Sequence, residues 1–222
     1  MQGQFLCLEG IDGSGKTTLA RLLSENLSRK GQKAIFVDKK DLNFSGDELG
    51  LKLLDDFKRC VWDYPNDLNL NCLGDGYWMH AISAWYSALY AIRIASLLEQ
   101  GSIVVSDGWV YKYICRFSLK EEVGFGTASA IFASVPRPDR VLLLDVEPDI
   151  AAERKGSFKA SESGRFDGEN GGLVRGFVNY QGKVRDLLQI VAGREGWLTY
   201  KASHNPVEQC VEDISGLIFN QG

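Results

Sequence analysis

The chain has no surplus of positive charge: 25 Lys and Arg face 29 Asp and Glu over 222 residues, a formal net charge of −4. That balance gives no general attraction to a polyanion and argues against nucleic acid as a partner. Paired cysteines are missing as well. Cys7, Cys60, Cys72, Cys115 and Cys210 are odd in number and scattered, with no Cys-x-x-Cys spacing to present two thiolates to a metal or a disulfide. They read as reduced thiols in the cytoplasm. The amino end, MQGQFLCLEG, has no basic leader, and its apolar run stops at Glu9, unlike an export signal. The apolar stretch AISAWYSALYAIRIASLL over 81–98 carries Arg93, three serines and two tyrosines, and suits burial inside protein better than a membrane. No repeat, heptad series or low-complexity tract marks a solenoid, a coiled coil or a domain boundary.

Apolar runs of strand length are present at 5–8, 34–37, 103–105, 141–144 and 198–200, and they alternate with longer helix-compatible segments. This alternation predicts an α/β fold: one domain over 1–222, a three-layer sandwich with a parallel sheet of about five strands and helices on both faces. The first helix is expected from near Lys16, with Leu19, Leu22, Leu23 and Leu27 on one face and Gly31 as its stop. From Arg154 to Gly172, glycine, serine, lysine and glutamate dominate and only Phe158 and Phe166 are strongly apolar, which reads as a mobile lid.

Directly after the first strand comes LEGIDGSGKTT, in which Gly10, Gly15, Lys16 and Thr17 satisfy Gly-x4-Gly-Lys-Ser/Thr. Strand before and helix after are the context this phosphate-binding loop requires. Its glycines let backbone N–H groups point inward around phosphates, and the helix start favours anionic charge. Lys16 neutralises the outer phosphates and Thr17 offers a magnesium ligand. The nucleotide site is therefore expected at Gly10, Asp12, Gly13, Ser14, Gly15, Lys16, Thr17 and Thr18. A second carboxylate must support the metal. Asp107, at the end of the strand in IVVSDGW, is the first candidate; Asp145, at the end of VLLLD, competes with it. In the lid, Arg154, Lys155, Lys159 and Arg165 supply cations that could close over a transferring phosphoryl group.

Four segments, in one order, resemble the thymidylate kinase family of nucleoside monophosphate kinases over nearly the whole chain. They are FLCLEGIDGSGKTTLARLL, EQGSIVVSDGWVYKY, RPDRVLLLDVEPDIAAER and SGRFD. The resemblance implies ATP as donor, Lys16 on the donor phosphates, Asp107 on Mg2+ or its waters, Asp12 against a hydroxyl of the acceptor's sugar, and a homodimer. Some family members carry a catalytic arginine inside the phosphate loop. That slot here is Gly13, which moves the role to Arg154 or Arg165.

Departures from the family gather on the acceptor side. Asp107-Gly108-Trp109 replaces the family's Asp-Arg-Tyr, and Lys39-Lys40 stands where it has Arg-Glu-Pro. Counting back from Gly101, the family's helical Phe-x-x-x-Arg aligns with Ser83 and Ser87, with Arg93 two turns away. Lysine attracts phosphate but does not form arginine's planar fork. Substitute contacts to the acceptor are expected from Lys39, Lys40, Arg93 or Arg116, with Tyr86 and Trp109 offering rings for stacking. The spacing of Trp85, Tyr86 and Leu89 equally suits the buried face of a helix. Three functions follow. The first is an ATP-dependent kinase of a nucleoside monophosphate or modified nucleotide; the second, a kinase of an acceptor without phosphate, such as a nucleoside or aromatic hydroxyl; the third, a non-catalytic nucleotide-binding module.

Overall fold

The computed structural model describes residues 3–44, 46–63, 70–165, 172–201 and 205–219. Five strands, β1 (Gln4–Glu9), β2 (Ala34–Val37), β3 (Ile103–Ser106), β4 (Arg140–Asp145) and β5 (Leu198–Lys201), form one sheet in the order β2-β3-β1-β4-β5. Every pairing is parallel. The expected strands all occur, each within two residues of its expected ends. β1 and β4 read as continuous apolar runs because both faces of a parallel sheet are covered.

Right-handed crossovers decide which helix lies on which face. The step from β1 leftward to β2 puts α1 (Lys16–Arg29) on one face, where α9 (Val207–Phe219) joins it. All later steps run rightward. They place α2 (Glu48–Val61), α3 (Gly74–Leu89), α4 (Ala95–Glu99), α5 (Tyr111–Ser118), α6 (Gly124–Phe132), α7 (Pro148–Lys155) and α8 (Leu173–Glu195) on the other side. In α1, Leu19, Leu23 and Leu27 are buried as their spacing demands. A five-residue π turn, Tyr90–Ile94, joins α3 to α4.

The continuous helical stretch Gly74–Glu99 is long and apolar enough to cross a membrane by length and composition alone. Its inner stripe of Trp85, Tyr86, Leu89, Ile94 and Leu97 belongs to the core, which accounts for its apolar character. All five cysteines are free thiols. Of the expected lid, Arg154 to Arg165 is described: the end of α7, then an extended and turning segment. Residues 166–171, including Phe166, lie outside the described residues.

Packing of α7 against the phosphate loop leaves no room for a side chain at Gly13, where a Cβ would lie 2.4 Å from the Ala151 carbonyl oxygen. Gly13 also has φ +82°, a left-handed value that favours glycine. The replacement Gly13→Ala should cost at least about 1–3 kcal/mol in urea unfolding from backbone strain alone. A variant as stable as the parent would show that α7 yields freely there.

Candidate active site

β1 ends in Glu9, whose wholly buried carboxylate would be costly without partners. It accepts from the backbone N–H of Trp109 at 2.7 Å and from that of Gly10 at 3.4 Å. The end of β1 is thereby tied to the loop after β3. Gly10 lies against β4, where a Cβ would come within 2.8 Å of the Leu144 carbonyl oxygen. The chain then wraps through Asp12 to Gly15, and α1 begins at Lys16. Lys16 Nζ folds back over this loop, donating to the Ile11 carbonyl at 2.6 Å and to Ser14 Oγ at 3.3 Å.

Two carboxylates flank the loop, each beside a lysine. Asp107 Oδ2 accepts from Thr17 Oγ1 at 2.5 Å, and Lys39 Nζ lies 3.3 Å from Asp107 Oδ1 and 2.8 Å from its carbonyl oxygen. Asp12 Oδ1 lies 2.5 Å from Lys112 Nζ. Burial opposes ionisation of Asp12, but Lys112, Lys16 and Arg116 outweigh it and hold the carboxyl well below the usual carboxylate range. Burial likewise works against the Lys39 ammonium, yet Asp107, Tyr113 and Glu9 together outweigh it and raise its pKa. Lys16 goes the other way: burial and the neighbouring Lys112 bring its pKa down to about 8.

Asp145, the competing carboxylate, is turned away. It accepts from Arg185 Nε at 2.6 Å and from Gln189 Nε2 at 3.1 Å, both on α8, and does not line the cavity. Thr17 and Asp107 together offer only hard oxygen atoms. Among the described residues there is no cluster of three or more His, Cys, Asp or Glu that could hold a metal. One hydroxyl and one carboxylate suit Mg2+, which takes its remaining ligands from phosphates and water.

A cavity of about 1080 Å3 opens over the loop. Asp12, Gly13, Ser14, Gly15, Lys16, Thr17 and Thr18 form one wall, with Lys39, Lys40 and Trp62 next to them. α3 contributes Asp75, Trp78 and Ile82, and α5 contributes Lys112, Tyr113 and Arg116. From α7 and the lid come Arg154, Lys155 and Lys159. Gly10 lies buried beneath this wall.

Several expected residues lie elsewhere. Tyr86 and Trp109 are sealed in the core, their rings 4.6 Å apart, and Trp109 Nε1 donates to the Pro136 carbonyl at 2.8 Å. Stacking of an acceptor on either is corrected by this burial. Arg93 stands over the Phe44 ring at 4.3 Å and does not line the cavity. Arg165 is exposed and also outside it, whereas Arg154 lines it. Ser83 and Ser87 line a separate groove beside α6, with Ser83 Oγ donating to the Ile131 carbonyl at 3.1 Å. The stripe of α3 that meets the cavity is instead Trp78 and Ile82.

Comparison with known proteins agrees with this geometry. The chain is 30% identical to the thymidylate kinase of Thermosipho africanus (strain TCF52B) over 195 residues, covering 85% of this chain and 89% of that one. The chain belongs to the thymidylate kinase family. It is likewise 28% identical to the thymidylate kinase of Rickettsia typhi (strain ATCC VR-144 / Wilmington) over 213 residues, 93% of each chain. It is 30% identical to the probable thymidylate kinase 1 of Saccharolobus solfataricus (strain ATCC 35092 / DSM 1617 / JCM 11322 / P2), over 68% of this chain and 69% of that one. No protein-family model matches the chain. Arg116, an expected contact, lines the cavity, and Lys112, four residues before it on α5, is a further cation there that this spacing could have signalled. Gln181, buried beside Asp12, had no such signal.

Lys40 stands over the Trp62 ring at 4.6 Å, and its pKa falls to about 8 through burial and repulsion from Lys159, Lys39 and Lys112, against a smaller pull from Asp63. Its ammonium is therefore lost as pH rises through about 8, and a bound dianion would restore it. The KM of a monophosphate acceptor should rise by up to about tenfold at pH 9 relative to pH 7. Lys40→Arg, charged throughout, should show a smaller rise; an identical profile in steady-state kinetics would remove Lys40 from the acceptor's surroundings.

Proposed function

We propose that this chain transfers the γ-phosphoryl group of ATP to a nucleoside monophosphate or a modified nucleotide. The observation that carries the reading is the charge of the cavity. Nine cationic side chains against five carboxylates line it among the described residues, in a chain whose formal net charge is −4. Such an excess, gathered in one concavity, suits two phosphorylated ligands bound together. An acceptor without phosphate would leave part of it unmatched, which disfavours the second function. A binding module without catalysis has no use for lid cations beside an intact Lys16, Thr17 and Asp107.

In this reading the amides of Gly13 to Thr18 and the Lys16 ammonium hold the donor's phosphates. Thr17 and Asp107 would hold Mg2+, which on binding neutralises charge on the phosphate oxygens. Lys39, beside Asp107, would be placed to reach the donor's phosphate oxygens. Asp12 addresses the acceptor's sugar, and Lys40 and Arg116 its phosphate side. The acceptor oxygen attacks in line, with no covalent enzyme intermediate, while Arg154 meets the charge spreading over the transferring oxygens. Arg165 is the weaker candidate for this role because it stands outside the cavity. A cytoplasmic location and a homodimeric state belong to the same proposal, supported by the unpaired cysteines and the family.

ADP release measured with MgATP against panels of nucleosides and nucleoside monophosphates tests the reading. Turnover should be confined to monophosphates, and turnover of nucleosides alone would overturn it. In the same assay Lys16→Ala should lose at least about a hundredfold in kcat with an unchanged circular dichroism spectrum. Arg154→Ala should lose about a thousandfold, the scale of a transition-state arginine. Arg165→Ala should lose far less, and the reverse order would exchange their roles.

A further inference from the structure

Gln181, in the middle of α8, has no exposed surface. A primary amide sealed from water is costly unless bonded at both ends, and here it is. Its Oε1 accepts from the backbone N–H of Asp12 at 3.0 Å, and its Nε2 donates to Asp12 Oδ2 at 3.3 Å and to the Glu162 carbonyl at 2.8 Å. One side chain from a third element therefore joins the phosphate loop to the lid segment. The connection continues on the lid side, where the Glu162 carboxylate pairs with Lys155 at 3.3 Å and accepts from the Lys159 backbone N–H at 3.0 Å. A second arm runs alongside it. Arg116, one turn beyond Lys112 on α5, donates to the Ser161 carbonyl and to Tyr180 Oη.

We propose that Gln181 is a positioning residue that makes closure of the lid depend on Asp12. The proposal rests on the kinase reading for its function and on the three hydrogen bonds for its geometry. The two protons of Nε2 serve the two sides, one on the Asp12 carboxylate and one on the lid backbone. A ligand hydroxyl that bonds to Asp12 steadies that carboxylate, and Gln181 with it. The arrangement in which Glu162 holds Lys155 over the donor then becomes more populated. Acceptor occupancy on one side of the loop is thereby felt by cations on the other. A hydrophobic residue of equal length at position 181 would fill the same space and carry nothing across.

The test uses Gln181→Met, close in shape, and Gln181→Glu, which sets a carboxylate against Asp12 Oδ2 and the Glu162 carbonyl. Trypsin reports the lid, since Arg154, Lys155, Lys159 and Arg165 are its cleavage sites. With MgATP and thymidine 5′-monophosphate as probes, both variants should keep the parental Kd for MgATP alone and lose about tenfold to a hundredfold in kcat. Acceptor KM should change by less than about threefold, the pattern of an interaction made in the transition state. Thymidine 5′-monophosphate should slow tryptic cleavage of the lid in the parent and not in the variants. A Gln181→Met protein with parental kcat and parental lid protection overturns the proposal. Should the parent transfer phosphate to no monophosphate, the kinase reading fails by itself. The clamp is then judged on ligand-free protein, where Gln181→Met or Gln181→Glu, still folded by thermal unfolding, must be cut faster in the lid. Equal rates overturn it.

Discussion

Because β1 pairs in parallel with β3 in the register that sets Cys7 beside Ser106, β3 ends two residues before β1 does and Asp107 emerges where the phosphate loop turns into α1. The contacts of Asp107 with Thr17 and Lys39 follow from that pairing. Thr17 reaches Asp107 only because the first residue after β3 stands beside the first turn of α1. The buried Glu9 carboxylate then fixes the loop on the other side of Asp107 by accepting from the backbone of Trp109. A slip of one residue between β1 and β3 would reverse every side chain along β3 and alter where Asp107 emerges.

The same crowding that builds the site creates its electrostatic tension. Lysines at 16, 39, 40 and 112 stand close enough to repel one another, and two of them are steadied by Asp107 and Asp12. Buried ion pairs of this kind contribute little net stability, because desolvation offsets much of the attraction. Their value lies in holding cations ready in a cavity whose ligands arrive as anions. Lys16 and Lys40, with pKa near 8, are the ones whose charge is least secure before a ligand comes.

Sterics and packing divide what a residue's type suggests from what it does. Gly13 looks like a vacancy for an arginine when the family pattern is read, yet α7 occupies the space that any side chain there would need. Tyr86 and Trp109 look like platforms for a flat ring, yet Phe5 and Tyr86 each pack edge to face against Trp109 in the core. Aromatic density alone does not distinguish a binding wall from a core, because the same large rings serve both. Ser83 and Ser87, aligned by counting residues back from Gly101, face the groove beside α6, while Trp78 and Ile82 of the same helix face the cavity.

The sequence by itself determined the five strands, their parallel arrangement, the phosphate loop with Lys16 and Thr17, and the family. Each of these is written in local spacing: apolar runs of strand length, glycines at fixed offsets, a lysine next to a hydroxyl. Tertiary structure alone set Asp107 rather than Asp145 beside the loop, Arg154 rather than Arg165 on the cavity wall, and Trp78 and Ile82 as the face of α3 that lines the cavity. It also revealed Gln181, 169 residues from Asp12 along the chain. The physical reason is that these choices depend on side-chain direction and on contacts between distant segments, set by sheet register and helix rotation. Neither leaves a mark in the order of residues near the site.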